Sequence, residues 1–392
     1  MRRGDDTVAS SSEAMNVLLL SSRFPWPPFT GDRLRATIWL AALEREMNVA
    51  LVAPRGRVPP AAPRFRFHPA ALSPTRAAAG ALRVLGGAPV HALLAAPYDW
   101  RGAIERARSD VGGFDAAIVL LSRLDPWVRR YLPDGLRVLD AIDSLRRSMA
   151  ERSRQTSTFV RWFWHAESAR VARAEDDAAR AYDRVVVVSG EEASELGAVA
   201  VSNGVEIAPL ADAPRAFDFG FWGRLAYFAN ADAAAWLLDE IWPAVRAARP
   251  EATLVIAGAD APPRIRAVHG RDGIVVQSPA NDIAALARTI KVALFPLRYG
   301  TGQSNKVLEA AEAGCAIAAT PAAMRGLQPL AAHALIVNDA SALARSAIEL
   351  IDHHSRRAAA AAALRGVVES RYARQKTLAR LAAIVRGEEA AA

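Results

Sequence analysis

The chain has 392 residues, 52% hydrophobic and 23% charged, with a formal net charge of +8 and a pI near 10.2. That length exceeds the roughly 250–300 residues at which one core stops growing, so two domains are expected, and the composition excludes a disordered chain. A single cysteine, Cys315, excludes an intrachain disulfide and a cysteine zinc site, and no run of about 18 apolar residues provides a spanning helix.

Residues 1–14 read as a polar, disordered tail, because Val17–Leu20 is too short for a secretory h-region. Asn16–Ser21 is the first strand, Thr30–Glu46 a helix with Leu34, Ile38, Ala41 and Ala42 on one face, and Val49–Ala53 the second strand. Phe65–Phe67 is a third strand candidate, and helical pattern covers Pro74–Ala95 and Trp100–Arg108. Buried strands come next at Ala116–Leu121 and Leu136–Leu139, then a long helical region from Ile142 to Arg180 and a valine-rich strand at Arg184–Val188. The alternation restarts after Gly204. Strands are expected at Phe217–Trp222, Thr253–Ala257, Gly273–Gln277, Val292–Phe295, Ala316–Ala319 and Leu335–Val337. Helices are expected at Asn230–Ala248, Ser304–Ala313, Ser341–Asp352 and most of Ser355–Arg386.

Continuous apolar strands separated by helices are the mark of parallel sheets covered on both faces. The reading is therefore α/β, with two Rossmann-like domains. Residues 15–206 form the first and 207–365 the second. Residues 366–392 form a C-terminal helix that packs back on the first.

Ligands of such sheets sit beyond the carboxyl ends of the strands, so the loops there carry the chemistry. Gly223-Arg224 ends the first strand of the second domain: Arg224 is either a fork for phosphate oxygens or a surface arginine beside a turn glycine. Gly300-Thr301-Gly302-Gln303-Ser304-Asn305-Lys306 joins a strand to a helix start, where free backbone N–H groups meet anions. Lys306, one of only three lysines beside Lys291 and Lys376, sits in the first turn, where the helix dipole opposes a cation; that cost points to an anion in front of it. Glu309, one turn on, is placed for a ribose hydroxyl pair; the alternative is a solvated Lys306–Glu309 pair. Asp282 reads as a helix N-cap or a loop over a base. Gly31 and Asp32 open the first domain's first helix, either as a phosphate-approaching loop or as a rigid connection. Asp140 and Asp143 contact an acceptor or cap the helix expected after them. Arg146–Arg173 holds seven arginines against two acids, with Trp162, Phe163 and Trp164 among them. It docks on an anionic membrane surface or packs its arginine stems within the protein. No nucleic-acid module accompanies it, no metal-ligand spacing occurs, and no Gly-x-Gly-x-x-Gly comes after the first strand, which disfavours a nicotinamide dehydrogenase.

Together, Gly223-Arg224, Gly258–Ser278 and Gly300–Thr320, with Val186–Ser189 and Ser202–Val205, resemble the retaining glycosyltransferase family four, of GT-B fold. More narrowly, Phe24–Arg35 and Asp140–Ser144 resemble bacterial members tied to exopolysaccharide and exosortase gene sets. The resemblance implies a nucleotide-diphosphate sugar as donor substrate, a glycan or lipid-linked acceptor, and no metal or other cofactor. Separately, the single cysteine and the lack of a secretory signal point to a cytoplasmic protein, and the stretch Arg146–Arg173 to a peripheral place on the inner face of the cell membrane. By the resemblance, Glu309 binds the donor ribose, Arg224 and Lys306 hold the diphosphate as catalytic cations, and Gly223, Gly300, Thr301, Gly302, Ser304 and Asn305 line the donor. Gly31 and Asp32 belong to the loop near the phosphates and acceptor. The sequence departs from the family at Thr301, where many members carry a second glutamate, at Asn230, where many carry lysine, and at Leu121–Arg123, where many carry histidine. An epimerase of the same fold and a non-catalytic sugar-nucleotide binder are the alternatives.

Overall fold

The computed structural model describes residues 14–147, 149–150, 158–210, 214–300 and 302–388. The first sheet contains β1 (Asn16–Ser21), β2 (Asn48–Pro54), β3 (Arg66–Ala70), β4 (Ala116–Leu120), β5 (Leu136–Ile142), β6 (Arg184–Val187) and β7 (Val199–Ala200), in the order β3-β2-β1-β4-β5-β6-β7. The second contains β8 (Phe217–Trp222), β9 (Leu254–Ala257), β10 (Ile274–Gln277), β11 (Ile290–Phe295), β12 (Ala316–Ala319) and β13 (Leu335–Ile336), in the order β10-β9-β8-β11-β12-β13. Neighbouring strands pair in parallel throughout both sheets. The fold is two facing α/β domains. The apolar runs explain the burial: Val17 to Leu20 are sealed on both sheet faces, Val17 and Leu19 against one helical layer, Leu18 and Leu20 against the other.

Several elements differ from the sequence reading. The helix expected over Pro74–Ala95 stops at Leu85, because Gly86-Gly87 comes next and Gly87 takes φ 102°; a 3-10 turn covers Val90–Leu94. The region expected as helix from Ile142 begins as strand, and the long helix is Thr158–Ala181. The third strand is Arg66–Ala70 rather than Phe65–Phe67. The helical C-terminus is two helices, His354–Arg371 and Arg374–Val385. Tyr372 still lies in the second core, whereas Leu381, Ile384 and Val385 lie in the first, against the helix Gly31–Leu43. The chain thus crosses at Ala373, which bridges Val205, and not at residue 366. No helix among the described residues is long and apolar enough to cross a membrane.

Candidate functional site

Strand order reverses between β8 and β11 in the second sheet. A crevice opens at such a switch point, at the carboxyl ends of the two strands. Gly223 leaves β8 with φ 147° and Gly258 leaves β9 with φ 143°; a Cβ on Gly258 would sit 1.7 Å from the Gly223 carbonyl oxygen. Only glycine permits these two strand ends to touch.

From the β11 side, the helix Asn305–Glu312 brings Lys306 to the same place. Its Nζ lies 3.3 Å from where a Gly223 Cβ would be and 5.2 Å from the Phe221 ring centroid. Lys306 donates to Asn230 Oδ1, while Asn230 Nδ2 donates to the Arg224 carbonyl oxygen at 2.9 Å. One turn on, Glu309 Oε2 accepts from Trp222 Nε1 at 2.9 Å. Burial pulls the Lys306 ammonium down to about 8, with the Glu309 charge pulling the other way. Burial pushes the Glu309 carboxyl up, against the Trp222 hydrogen bond and the charges of Lys306 and Arg374. At the helix start Ser304 does not cap the backbone, and its Oγ is buried without a hydrogen-bond partner. A cation, a carboxylate and an unsatisfied hydroxyl therefore stand within one turn of a helix N-terminus, the arrangement that receives a phosphate and a neighbouring diol.

The first domain meets this site from across the cleft. Asn203 Nδ2 donates to Asn305 Oδ1 at 3.2 Å, Ser202 donates to Gln303, and Gln328 donates to Glu191. A Cβ on Gly302, which takes φ 70°, would lie 1.8 Å from Asp143 Oδ1. That oxygen is buried without a partner. Burial, then the charges of Glu192 and Asp140, hold the Asp143 carboxyl well above the usual range. Asp143 is thus pressed against the Gly-x-Gly loop. Gly300 accepts from Arg325 Nη1 at 2.5 Å, and Thr301 lies outside the described residues.

Arg224 is exposed, and its Nε donates to Asp260 in the loop after β9 at 2.9 Å, while its carbonyl oxygen accepts from Asn230, the partner of Lys306. One reading needs correction. Asp140 does not face an acceptor. It is wholly buried, accepting from Arg35 Nε and Trp39 Nε1 at 2.6 Å each and from the Ile142 amide at 2.9 Å. The basic stretch is largely neutralised from within: Arg146 pairs with Glu175 and Asp176, Arg147 with Glu191 and Glu195, and Arg170 with Glu167. Arg152 and Arg154 lie outside the described residues. Gly31 and Asp32 start the first domain's first helix, and Asp32 accepts from Thr30 Oγ1 at 2.6 Å. Two site residues were not read from the sequence. Trp222 lies in the strand pattern Phe217–Trp222 and Asn203 in the segment Ser202–Val205; neither pattern carries a distance to position 309 or 305.

Residues 216–353 match the family model described as "Glycosyl transferases group 1". No curated protein matches the chain. Among solved structures, it is similar to sucrose-phosphate synthase from Thermosynechococcus elongatus, with 14% identity and a TM-score of 0.71 over 95% of this chain and 98% of that one. It is similar to Anabaena HepE in complex with UDP, with 14% identity and a TM-score of 0.63 over 95% and 100%. WaaG, a glycosyltransferase involved in lipopolysaccharide biosynthesis, matches at 13% identity and a TM-score of 0.65 over 95% and 100%. The fold is accordingly GT-B.

Proposed function

We propose that this chain, whose second domain is of the Glycosyl transferases group 1 family, transfers a sugar with retention from a nucleotide-diphosphate donor to a glycan or lipid-linked acceptor. The observation that carries the reading is the pair Lys306 and Glu309, one turn apart at the start of the helix Asn305–Glu312, held by Asn230 and Trp222 at the switch point. Glu309 takes the ribose hydroxyls, and Lys306 with the free N–H groups takes the diphosphate. Arg224 joins the diphosphate by leaving Asp260. HepE structures hold UDP and UDP-glucose, so uridine donors are the first to try.

In the reaction, the bond from the anomeric carbon to the diphosphate oxygen breaks and its electron pair leaves with the diphosphate. The acceptor hydroxyl oxygen bonds to the same face of that carbon, and its proton passes to the departing diphosphate oxygen. Charge grows on the leaving group as the bond breaks. A preorganised ammonium then stabilises the transition state more than the ground state, and no metal is needed in this scheme.

An exopolysaccharide or cell-surface product and a cytoplasmic, membrane-peripheral location belong to the same proposal. Arg161, Trp162 and Phe163 stand exposed on the helix Thr158–Ala181 and supply the surface for anionic lipid.

The test is calorimetric titration of nucleotide sugars into wild type and Glu309→Gln, followed by donor turnover. Binding by the wild type, weakened about tenfold to a hundredfold in the variant, is expected. The amide keeps an acceptor for Trp222, so the fold stays. Equal affinity in both would remove the assignment. Binding without turnover, across acceptor extracts, would favour a non-catalytic binder.

A further inference from the structure

The first sheet has its own switch point, between β1 and β4. Charged side chains meet there with too few partners. Arg23 lies just after β1, Asp32 opens the helix Gly31–Leu43, and Arg123 lies just after β4. Thr30 Oγ1 donates to Asp32 Oδ1, while Asp32 Oδ2, 3.4 Å from Arg23 Nη1, is buried without a hydrogen bond. Arg123 forms no hydrogen bond or ion pair with any described residue, and its Nε is buried. Burial disfavours its charge, Arg23 adds to that, and Asp32 only partly offsets them. A guanidinium stays charged regardless, so the fold carries the cost of an unpaired cation.

Two further features mark the place. Leu121, between β4 and Arg123, takes φ 69°, a conformation unfavourable to a branched side chain and found where a loop is constrained for function. In front of the helix start there is room, since no atom lies within 4 Å of a Cβ built on Gly31. Thr30 does not cap that helix with its side chain, so the first N–H groups are free.

We infer that this crevice is an anion subsite of the acceptor side, taking a phosphate-like oxyanion carried by the acceptor in the fork of Arg123 with Arg23 behind it. The inference rests on the proposed function only in assigning this domain to the acceptor. An acceptor anchored by its charge holds its hydroxyl in place across the cleft, so the subsite sets which acceptors react. The anion is a lipid headgroup or belongs to a water-soluble phosphorylated sugar or polyol; both present the same oxygens.

The test saturates the full chain with UDP, which occupies the donor site, and then titrates glycerol phosphate by calorimetry. A parallel arm uses phosphatidylcholine vesicles with and without a polyprenyl phosphate. Arg123→Gln should bind the anion about tenfold or more weakly, as loss of a charge-assisted fork implies, with UDP affinity unchanged. Arg123→Lys, which keeps the charge without the fork, should fall between and serves if the glutamine variant does not fold. Dependence on Arg123 for glycerol phosphate assigns a soluble acceptor. Dependence seen only with polyprenyl phosphate vesicles assigns a lipid headgroup. Anion binding indifferent to both substitutions, or absent in both arms, overturns the subsite. Failure of UDP itself to bind speaks against the donor reading instead.

Discussion

Lys306 makes the donor site sensitive to pH in a way that can be worked out from its surroundings. Its ammonium sits at about 8 because burial against Gly223 and Phe221 outweighs the pull of Glu309. With that value, about 90% of the ligand-free protein carries the charge at pH 7, about half at pH 8 and about 10% at pH 9. If the ammonium grips the diphosphate, affinity for UDP should fall about tenfold between pH 7 and pH 9. Lys306→Met should bind about tenfold to a hundredfold more weakly at pH 7, with a flat profile that meets the wild type at high pH. Its turnover should drop by about two to three powers of ten, because the lost charge acts mainly in the transition state. Folding carries the opposite sign. The folded value lies below the ordinary 10.5, so between about 8 and 10.5 the unfolded chain keeps a proton that the fold has released. The lysine's contribution to the stability of the ligand-free protein therefore rises with pH over that window, while donor affinity falls. Calorimetric titration of UDP from pH 7 to 9, wild type against Lys306→Met, is the assay. A flat wild-type profile, or the same slope in both proteins, would refute the reasoning.

Asp140→Asn leaves the buried Arg35 without its counter-charge and should cost about 3–5 kcal/mol, read by urea unfolding, with UDP affinity unchanged in the folded fraction. Gly302→Ala should cost about 1–2 kcal/mol for the left-handed backbone and impair turnover further by pushing on Asp143; Asp143→Ala in the same chain should recover the second part only. Trp162→Ala should weaken binding to anionic vesicles, and wild-type binding should fall with salt as the screening length shortens to about 8 Å at physiological strength; co-sedimentation that is equal for neutral and anionic vesicles would sink the membrane surface.

The apolar runs alone determined a good deal. Val17–Leu20, Ala116–Leu120 and Val292–Phe295 are continuous because parallel strands are buried on both faces, and that pattern is local to each segment. The same holds for the Gly-x-Gly loop ahead of Lys306 and Glu309: a strand, a glycine turn and a helix start are neighbours in sequence as well as in space. The partners of those residues are not. Trp222 stands 87 positions from Glu309, Asn230 76 from Lys306, and Asn203 102 from Asn305. Only the tertiary structure decided that Asp140 turns into the core towards Arg35 while Asp143, three residues on, faces Gly302. β5 ends at Ile142, which takes φ 62°, so Asp143 has left the strand's alternation, and its direction depends on what packs there. It also decided that Arg224 rests on Asp260, and that Arg123 ends without an ion pair, with only the nearby charge of Asp32 to offset its burial, because ion pairing is set by distances between strand ends that no sequence spacing encodes.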